Sequence, residues 1–333
     1  MNHTLKTTID SILEFAWDLL QIPGISGYED EVARYFDSKA GSFGAISHDY
    51  IGNCFLRTGS CDSNLKILVT AHMDSVGFIV KDIESKYEAS LLPVGLYRLD
   101  QYDSARARVM GENQTVSGLI LLENEKIPKF VVEQGEFTLG EANIEMGDQV
   151  VAYNPPTTKE HLFLNGTWLD NRLGLSVLMN LAKKVPNDFP ADVLMLASVR
   201  EEIGAKGVEA ALKRFQPDFA IVIDATWTQS SVNIGQGPVL TIWDPSVIVK
   251  PRDRRIITKL ASELNIPLQR EILGQGSSDA GPLTRAGIPT FCIMFPVEGL
   301  HTPIERAALE DVAWNFMLIR SLLETLESMK IVC

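Results

Sequence analysis

From residue 168 onward, long apolar runs alternate with helix-patterned segments, and this alternation constrains the fold more than any other feature. VLMLASV, FAIVID and TFCIMF are nearly unbroken apolar stretches. LGLSVLMNLAKKV, VEAALKRF, DRRIITKLASELN and LEDVAWNFMLIRSLLETLESM carry helical spacing between and after them. Strands that are apolar on both faces must be covered on both faces. The expected class is therefore α/β, a mostly parallel sheet with helices on both sides. The N-terminal segment fits the same frame. Ile9, Leu13, Ala16, Trp17 and Leu20 recur at helical spacing, SGYEDEVARYFDSKA starts a second helix with Ser26 and Glu29 as a capping box, and KILVTAHMD is a buried strand.

Residues 76–165 have a different texture. GFIVKDI, ARARVMG, VSGLILLE and DQVVAYNPP are short, and glycines and prolines separate them. This reads as a small inserted β-barrel or sandwich. The expected division is an α/β domain of residues 1–75 and 166–333 around a β-rich insertion of residues 76–165. A chain of 333 residues has room for both.

Charge and cysteine usage narrow the function classes. The formal net charge of −13 argues against a nucleic-acid or anionic-membrane partner. Cys54, Cys61, Cys292 and Cys333 are scattered with no C-x-x-C, as expected of reduced thiols in the cytoplasm. The N-terminal stretch carries Asp10, Glu14 and Asp18, unlike a secretory leader, and no transmembrane run is expected.

In open α/β sheets, ligands bind beyond the carboxyl ends of the strands. ILVTA ends at His72 with Asp74 two residues on, VLMLASV runs into Glu201 and Glu202, and AIVI ends at Asp224. A loop carrying His301 follows TFCIMF, and Asp170 stands at the start of LGLSVLMNLAKKV. Singly, each has an ordinary reading: a packed histidine, a helix N-cap at Asp170, a turn residue at Asp224, a solvated glutamate pair. Together they suit divalent metals, because imidazole and carboxylate are their ligands. The two oxygens of Asp170 can each face one ion. Asp74 can hold the second ring nitrogen of His72. Extended backbone at Arg200–Glu202 would send the two glutamates in different directions.

AHMDSVGFIV, WLDNRLG, REEIGAKGVEAA, VIDAT, SSDAGPLTRAGIPT and GLHTPIE resemble, in order and spacing, the tetrahedral and glutamyl aminopeptidases, a family of dinuclear metallopeptidases that includes deblocking aminopeptidases. The resemblance implies a zinc-exopeptidase-like fold whose inserted β domain serves dimerisation. It implies two divalent ions per subunit, Zn²⁺ or Co²⁺, with Mn²⁺ also tolerated. His72 and Asp224 would bind one ion and Glu202 and His301 the other, with Asp170 bridging. Glu201 would be the general base that takes a proton from a bridging water, and Asp74 would support His72. The substrates would be short peptides, and the assembly a homo-oligomer of dimers, up to a twelve-subunit shell. Ser75 and Asn171 depart from the acidic residues usual at those positions.

Other classes remain open at this stage. A carboxypeptidase- or deacylase-type amidohydrolase orders its ligands similarly but inserts its second domain after the glutamate pair. A glycoside hydrolase needs two carboxyls and no histidine ligands. A non-enzymatic relative would keep the fold alone. GQGSSDAG lacks the lysine of a P-loop, so Ser277, Ser278 and Asp279 are expected to cap a helix, with the lining of a substrate cleft as a second role open to them. Trp227 and Trp243 are expected to be packed, and His3, His48 and His161 show no partner pattern.

Overall fold

The computed structural model describes residues 3–95, 98–112, 114–123, 127–159 and 162–329. His161 and Cys333 lie outside the described residues. The chain runs through α1 (His3–Leu19), α2 (Asp30–Ala40), β1 (Ala45–His48), β2 (Cys54–Gly59) and β3 (Lys66–His72). Six strands follow: β4 (Gly77–Ile83), β5 (Glu88–Val94), β6 (Ala105–Met110), β7 (Thr115–Glu123), β8 (Ile127–Val132) and β9 (Gln149–Ala152). Then come β10 (Thr157–Lys159), β11 (Phe163–Gly166), α3 (Leu169–Lys184), β12 (Asp192–Ser198), α4 (Lys206–Ala211), β13 (Phe219–Trp227) and β14 (Val239–Trp243). The chain continues through α5 (Pro251–Glu263), β15 (Gln269–Ile272), α6 (Ala280–Arg285), β16 (Thr290–Glu298), β17 (Glu305–Ala308) and α7 (Leu309–Met329).

The large sheet has eleven strands in the order β1-β2-β12-β3-β13-β16-β17-β11-β10, with β14 and β15 branching from β16. Its centre is parallel, β12 with β3, β3 with β13, and β13 with β16, and so is the branch pair β14 with β15. The flanks pair antiparallel, so the sheet is mixed rather than mostly parallel. The reason is local. β1 to β2 and β10 to β11 are joined by short connections that can only fold back, whereas the central strands are joined through helices or through the whole inserted block.

Both faces of the centre are buried, as the apolar runs require. Ile67, Val69, Val193, Met195, Ile221, Ile223 and Ile293 pack with α1, α2, α3 and α7. Their sequence neighbours Leu68, Leu194, Leu196, Ala220, Val222 and Cys292 pack with α4 and α6. This is the period-two alternation of a strand with a core on each side.

The inserted block closes into a barrel, β4-β5-β8-β7-β6-β9, around Phe78, Val109, Val116, Ile120, Phe130 and Val150. Its last strand ends at Ala152. β10 and β11 pair into the large sheet instead, with β11 against β17. Among the described residues no helix is long and apolar enough to cross a membrane.

Candidate metal centre

The parallel centre of the sheet delivers the site residues to one edge. His72 is the last residue of β3 and lies beside Ser198, the last of β12. Glu201 and Glu202 follow β12 in a turn, Asp224 lies in β13, and His301 follows β16. β13 does not stop at Asp224. It continues to Trp227, with Asp224 paired to Met294. Asp170 sits in a non-helical stretch at the start of α3 and caps nothing: the cap position is Trp168. The Asp170–Asn171 peptide bond is cis.

All seven candidate residues are drawn into one cluster. His72 Nε2 lies 3.1 Å from Asp170 Oδ1 and 3.2 Å from Asp224 Oδ1. His301 Nε2 lies 3.1 Å from Asp170 Oδ2 and 3.4 Å from Glu202 Oε1. The two oxygens of Asp170 thus face two different imidazoles. These side chains and Glu201 line a cleft of about 280 Å³, together with Trp227, Ser277 and Leu300. A larger groove of about 420 Å³ along Trp243, Ile248 and Phe291 has Asp244 and Asp253 in its lining and no histidine.

The tautomer of His72 decides what the cluster is suited to hold. Its Nδ1 lies 3.1 Å from the carbonyl oxygen of Asp74. A carbonyl only accepts, so Nδ1 carries the proton and donates it. In the neutral ring, Nε2 then presents a lone pair to two carboxylate oxygens. That contact is repulsive unless a proton or a cation lies between them. Asp170 Oδ1 and Glu202 Oε1 are buried with no hydrogen-bond partner, as ligand oxygens reserved for a cation would be. The donor set of imidazole and carboxylate fits Zn²⁺, Co²⁺ or Mn²⁺.

The electrostatics agree. Burial disfavours the charged form of His301, but the carboxylates of Glu202 and Asp170 outweigh it and push its pKa up to about 12. Burial likewise opposes charge on His72, and Asp224, Asp170 and Asp74 raise its pKa well above the usual imidazole range. Burial pushes Glu201 well above the usual carboxylate range, and repulsion from Asp224, Glu202 and Asp279 adds to this. Burial also raises Asp224, to about 7. Such a surplus of buried negative charge is what divalent cations neutralise.

Asp74 acts more broadly than on His72. Its carboxylate is 3.5 Å from His72 Nδ1, so the carbonyl is the better ring partner. The carboxylate accepts hydrogen bonds from Glu201 N–H at 2.9 Å, Glu202 N–H at 3.1 Å and the Ser26 hydroxyl at 2.6 Å. Burial opposes its ionisation, but His72, Ser26 and Glu201 hold its pKa below the ordinary value. The glutamates are therefore held in a turn clasped at its start by Asp74, not on extended backbone.

Several further residues organise this centre without having been assigned a role from sequence. Glu305 accepts the N–H groups of Asp170 at 3.2 Å and His301 at 3.0 Å. Arg172 is fully buried and donates to the carbonyls of Met73, Ile22 and Gly24. Ser26 and Glu29 do not form a capping box. Glu29 accepts Arg200 N–H at 3.0 Å, and no side chain caps α2. Asp279 does not cap α6 either: it accepts the hydroxyls of Thr70 at 3.0 Å and Ser198 at 2.5 Å. Ser278 accepts Ala280 N–H at 3.3 Å, and Ser277 borders the cleft. Ser26, Glu29 and Asp279, all near helix starts, thus each have a polar partner far away in the chain. Sequence spacing cannot distinguish those two uses.

Trp227 is not simply packed, since it borders the cleft with its ring 5.8 Å from the His301 ring. Trp243 is 40% exposed. The side chains at the two departures noted in sequence both bond to backbone carbonyls. Ser75 donates to Gly24 O at 3.0 Å, and Asn171 donates to Ile223 O at 2.8 Å. Asn171 also explains Gly174, where a Cβ would lie 1.9 Å from Asn171 Oδ1.

Comparison with known proteins converges on one family. The profile of the M42 glutamyl aminopeptidase family matches residues 52–318. A lysyl aminopeptidase of Pyrococcus furiosus is 27% identical, over 94% of this chain and 98% of that protein. The structure of a TET aminopeptidase from a marine Thaumarchaeota archaeon superposes with a TM-score of 0.87 at 23% identity, covering 95% of this chain and 97% of that one. The TET1 peptidase of Pyrococcus horikoshii, described as assembling into a tetrahedron or a large octahedral shell, gives 0.82 at 24% identity, covering 95% and 99%. The match spans most of the chain, and the protein is a peptide hydrolase that belongs to the M42 glutamyl aminopeptidase family.

Proposed function

We propose that this protein is a two-metal aminopeptidase that removes N-terminal residues from short peptides in the cytoplasm. The observation that carries the reading is Asp170, whose two oxygens face His72 and His301 separately. With Asp224 beside His72 and Glu202 beside His301, the cluster divides into two ligand sets that share one carboxylate. Two divalent cations held there would polarise the scissile carbonyl and lower the pKa of the attacking water.

The protein's own residues supply the rest. Glu201 lines the cleft beside the two ligand sets, where its carboxylate can take the water's proton and pass it to the leaving amine. Asp74 fixes the backbone of both glutamates and, through its carbonyl, the tautomer of His72. Glu305 holds the backbone of Asp170 and His301, which keeps the shared carboxylate aligned with the second imidazole. Trp227, Ile203 and Leu300 form an apolar border for the substrate side chain.

The position of the barrel supports an aminopeptidase over the deacylase type, because it is inserted before Asp170 and not after the glutamate pair. Histidine-flanked carboxylates are not what a glycoside hydrolase requires. The test is a panel of aminoacyl chromogenic substrates, assayed after chelation and after return of Zn²⁺, Co²⁺ or Mn²⁺. Release of free N-terminal residues should stop on chelation and return with metal. Activity confined to N-acyl amino acids would overturn the reading.

A further inference from the structure

A second group of ligand-type side chains stands outside the cleft. β1 and β2 pair antiparallel with His48 directly opposite Cys54. Opposed residues point to the same face of a strand pair. From α2, the carboxylate of Asp37 meets His48 there, its oxygens 3.0 and 2.9 Å from His48 Nε2. A carboxylate oxygen, an imidazole nitrogen and the thiol sulfur of these three residues all lie within 4.8 Å of one another.

We propose that Asp37, His48 and Cys54 form a separate binding site for one thiophilic divalent cation of the Zn²⁺ class, with water as fourth ligand. Ligand atoms around a tetrahedral Zn²⁺ at ~2.0–2.3 Å stand about 3.3–3.8 Å apart, so the His48–Asp37 pair would open slightly and the sulfur, within 4.8 Å of both, would close in to seat an ion. Thiolate and carboxylate with a neutral imidazole carry two negative charges, which one divalent cation balances. The chemistry differs from that of the cleft, because a sulfur ligand selects softer metals than a nitrogen and oxygen set does.

The surroundings of Cys54 favour this over a simple His48–Asp37 ion pair. That pair is partly exposed, and exposed pairs add little stability. It also gives no reason for a fully buried thiol to face the same carboxylate. Burial raises the Cys54 thiol pKa, and the carboxylates of Asp37 and Asp49 raise it further, so without a cation the sulfur keeps its proton. On binding, the S–H bond breaks, the proton leaves to solvent, and the sulfur lone pair forms the bond to the ion. His48 contributes the Nε2 lone pair and Asp37 one oxygen. His48 also borders a groove of about 640 Å³ and is itself partly exposed to solvent.

The site is tied to the catalytic edge. Asp49 and Asn53, between the two β-strand ligands, form a clamp on the loop after β12. Asp49 accepts the N–H groups of Ile51, Gly52 and Asn53, while Asn53 accepts Val199 N–H and donates to Gly207 O. A cation on His48 and Cys54 would fix both ends of this clamp.

The test uses the full chain with Cys61 and Cys333 replaced by Ser, titrated with Co²⁺ and followed by the thiolate-to-cobalt charge-transfer absorption. Replacing Cys292 by Ala as well leaves Cys54 as the one thiol, so the band reports on this site alone. One equivalent of band-forming Co²⁺ per chain is expected. Cys54→Ser should abolish the band, and His48→Gln should weaken Co²⁺ binding at least tenfold. Absence of the band, or its survival in Cys54→Ser, would overturn the proposal. If Cys54→Ser does not fold, His48→Gln decides, because an unchanged affinity there also overturns it. The band is read independently of turnover, so loss of the aminopeptidase reading would leave this result intact.

Discussion

Glu201 and Glu202 are neighbours with different surroundings. Glu202 Oε1 lies 3.4 Å from His301 Nε2, within the shared ligand cluster. Glu201 lines the same cleft, where burial and the carboxylates of Asp224 and Glu202 raise its pKa. Glu201→Gln should therefore lower kcat by about 10²–10⁴-fold, the range for loss of a general base, while bound metal stays unchanged. Steady-state kinetics alongside metal analysis of the same sample checks this, and a variant that keeps its rate would remove Glu201 from the assigned role. Glu202→Gln should instead release one ion more readily, seen as a raised metal concentration for half-maximal activity. The identities of these residues were legible because they fall at strand ends. Their surroundings were not. Asp74 binds two backbone N–H groups, and Glu305 binds that of Asp170, through contacts between residues more than 120 positions apart. No local sequence pattern encodes such a contact.

The loop carrying the glutamates is held from below by an element that shows no motif. Asn53 is fully buried, and its amide satisfies Val199 N–H, Gly207 O and Asp49. Gly207 must be glycine for this approach, since a Cβ there would lie 2.3 Å from Val199 O and 2.6 Å from Asn53 Oδ1. Asn53→Ala leaves buried polar groups unpaired at about 1–3 kcal/mol each, so it should lower the urea midpoint and reduce kcat. Equal stability with full activity would show that the clamp does not support the loop. Gly207→Ala should act in the same direction through overpacking. The helices α3, α5 and α7 were legible from their periodicity, because each buries a continuous apolar face. The caps were misread for the opposite reason. Ser26, Glu29 and Asp279 have the composition of helix starts, but burial gives them partners in the site.

At the scale of the molecule, unbroken apolar runs identify a sheet covered on both faces, but strand direction at the flanks depends on how short the connections are. The inserted barrel leaves Ile83, Tyr87, Leu92 and Ile127 substantially exposed on β4, β5, β8 and the β4–β5 connection. Apolar surface of this kind favours contact with another subunit. If the barrel mediates assembly, Leu92→Glu combined with Ile127→Glu should reduce the solution mass by light scattering toward that of a single chain. An unchanged oligomer would locate the interface elsewhere. The proposed mechanism requires Asp170 to join two cations at the centre of this architecture. Anomalous diffraction from crystals loaded with Zn²⁺ tests that most directly. Two peaks are predicted to share the Asp170 carboxylate, one beside His72 and Asp224 and the other beside His301 and Glu202. A single peak, or two peaks that do not share Asp170, would contradict it.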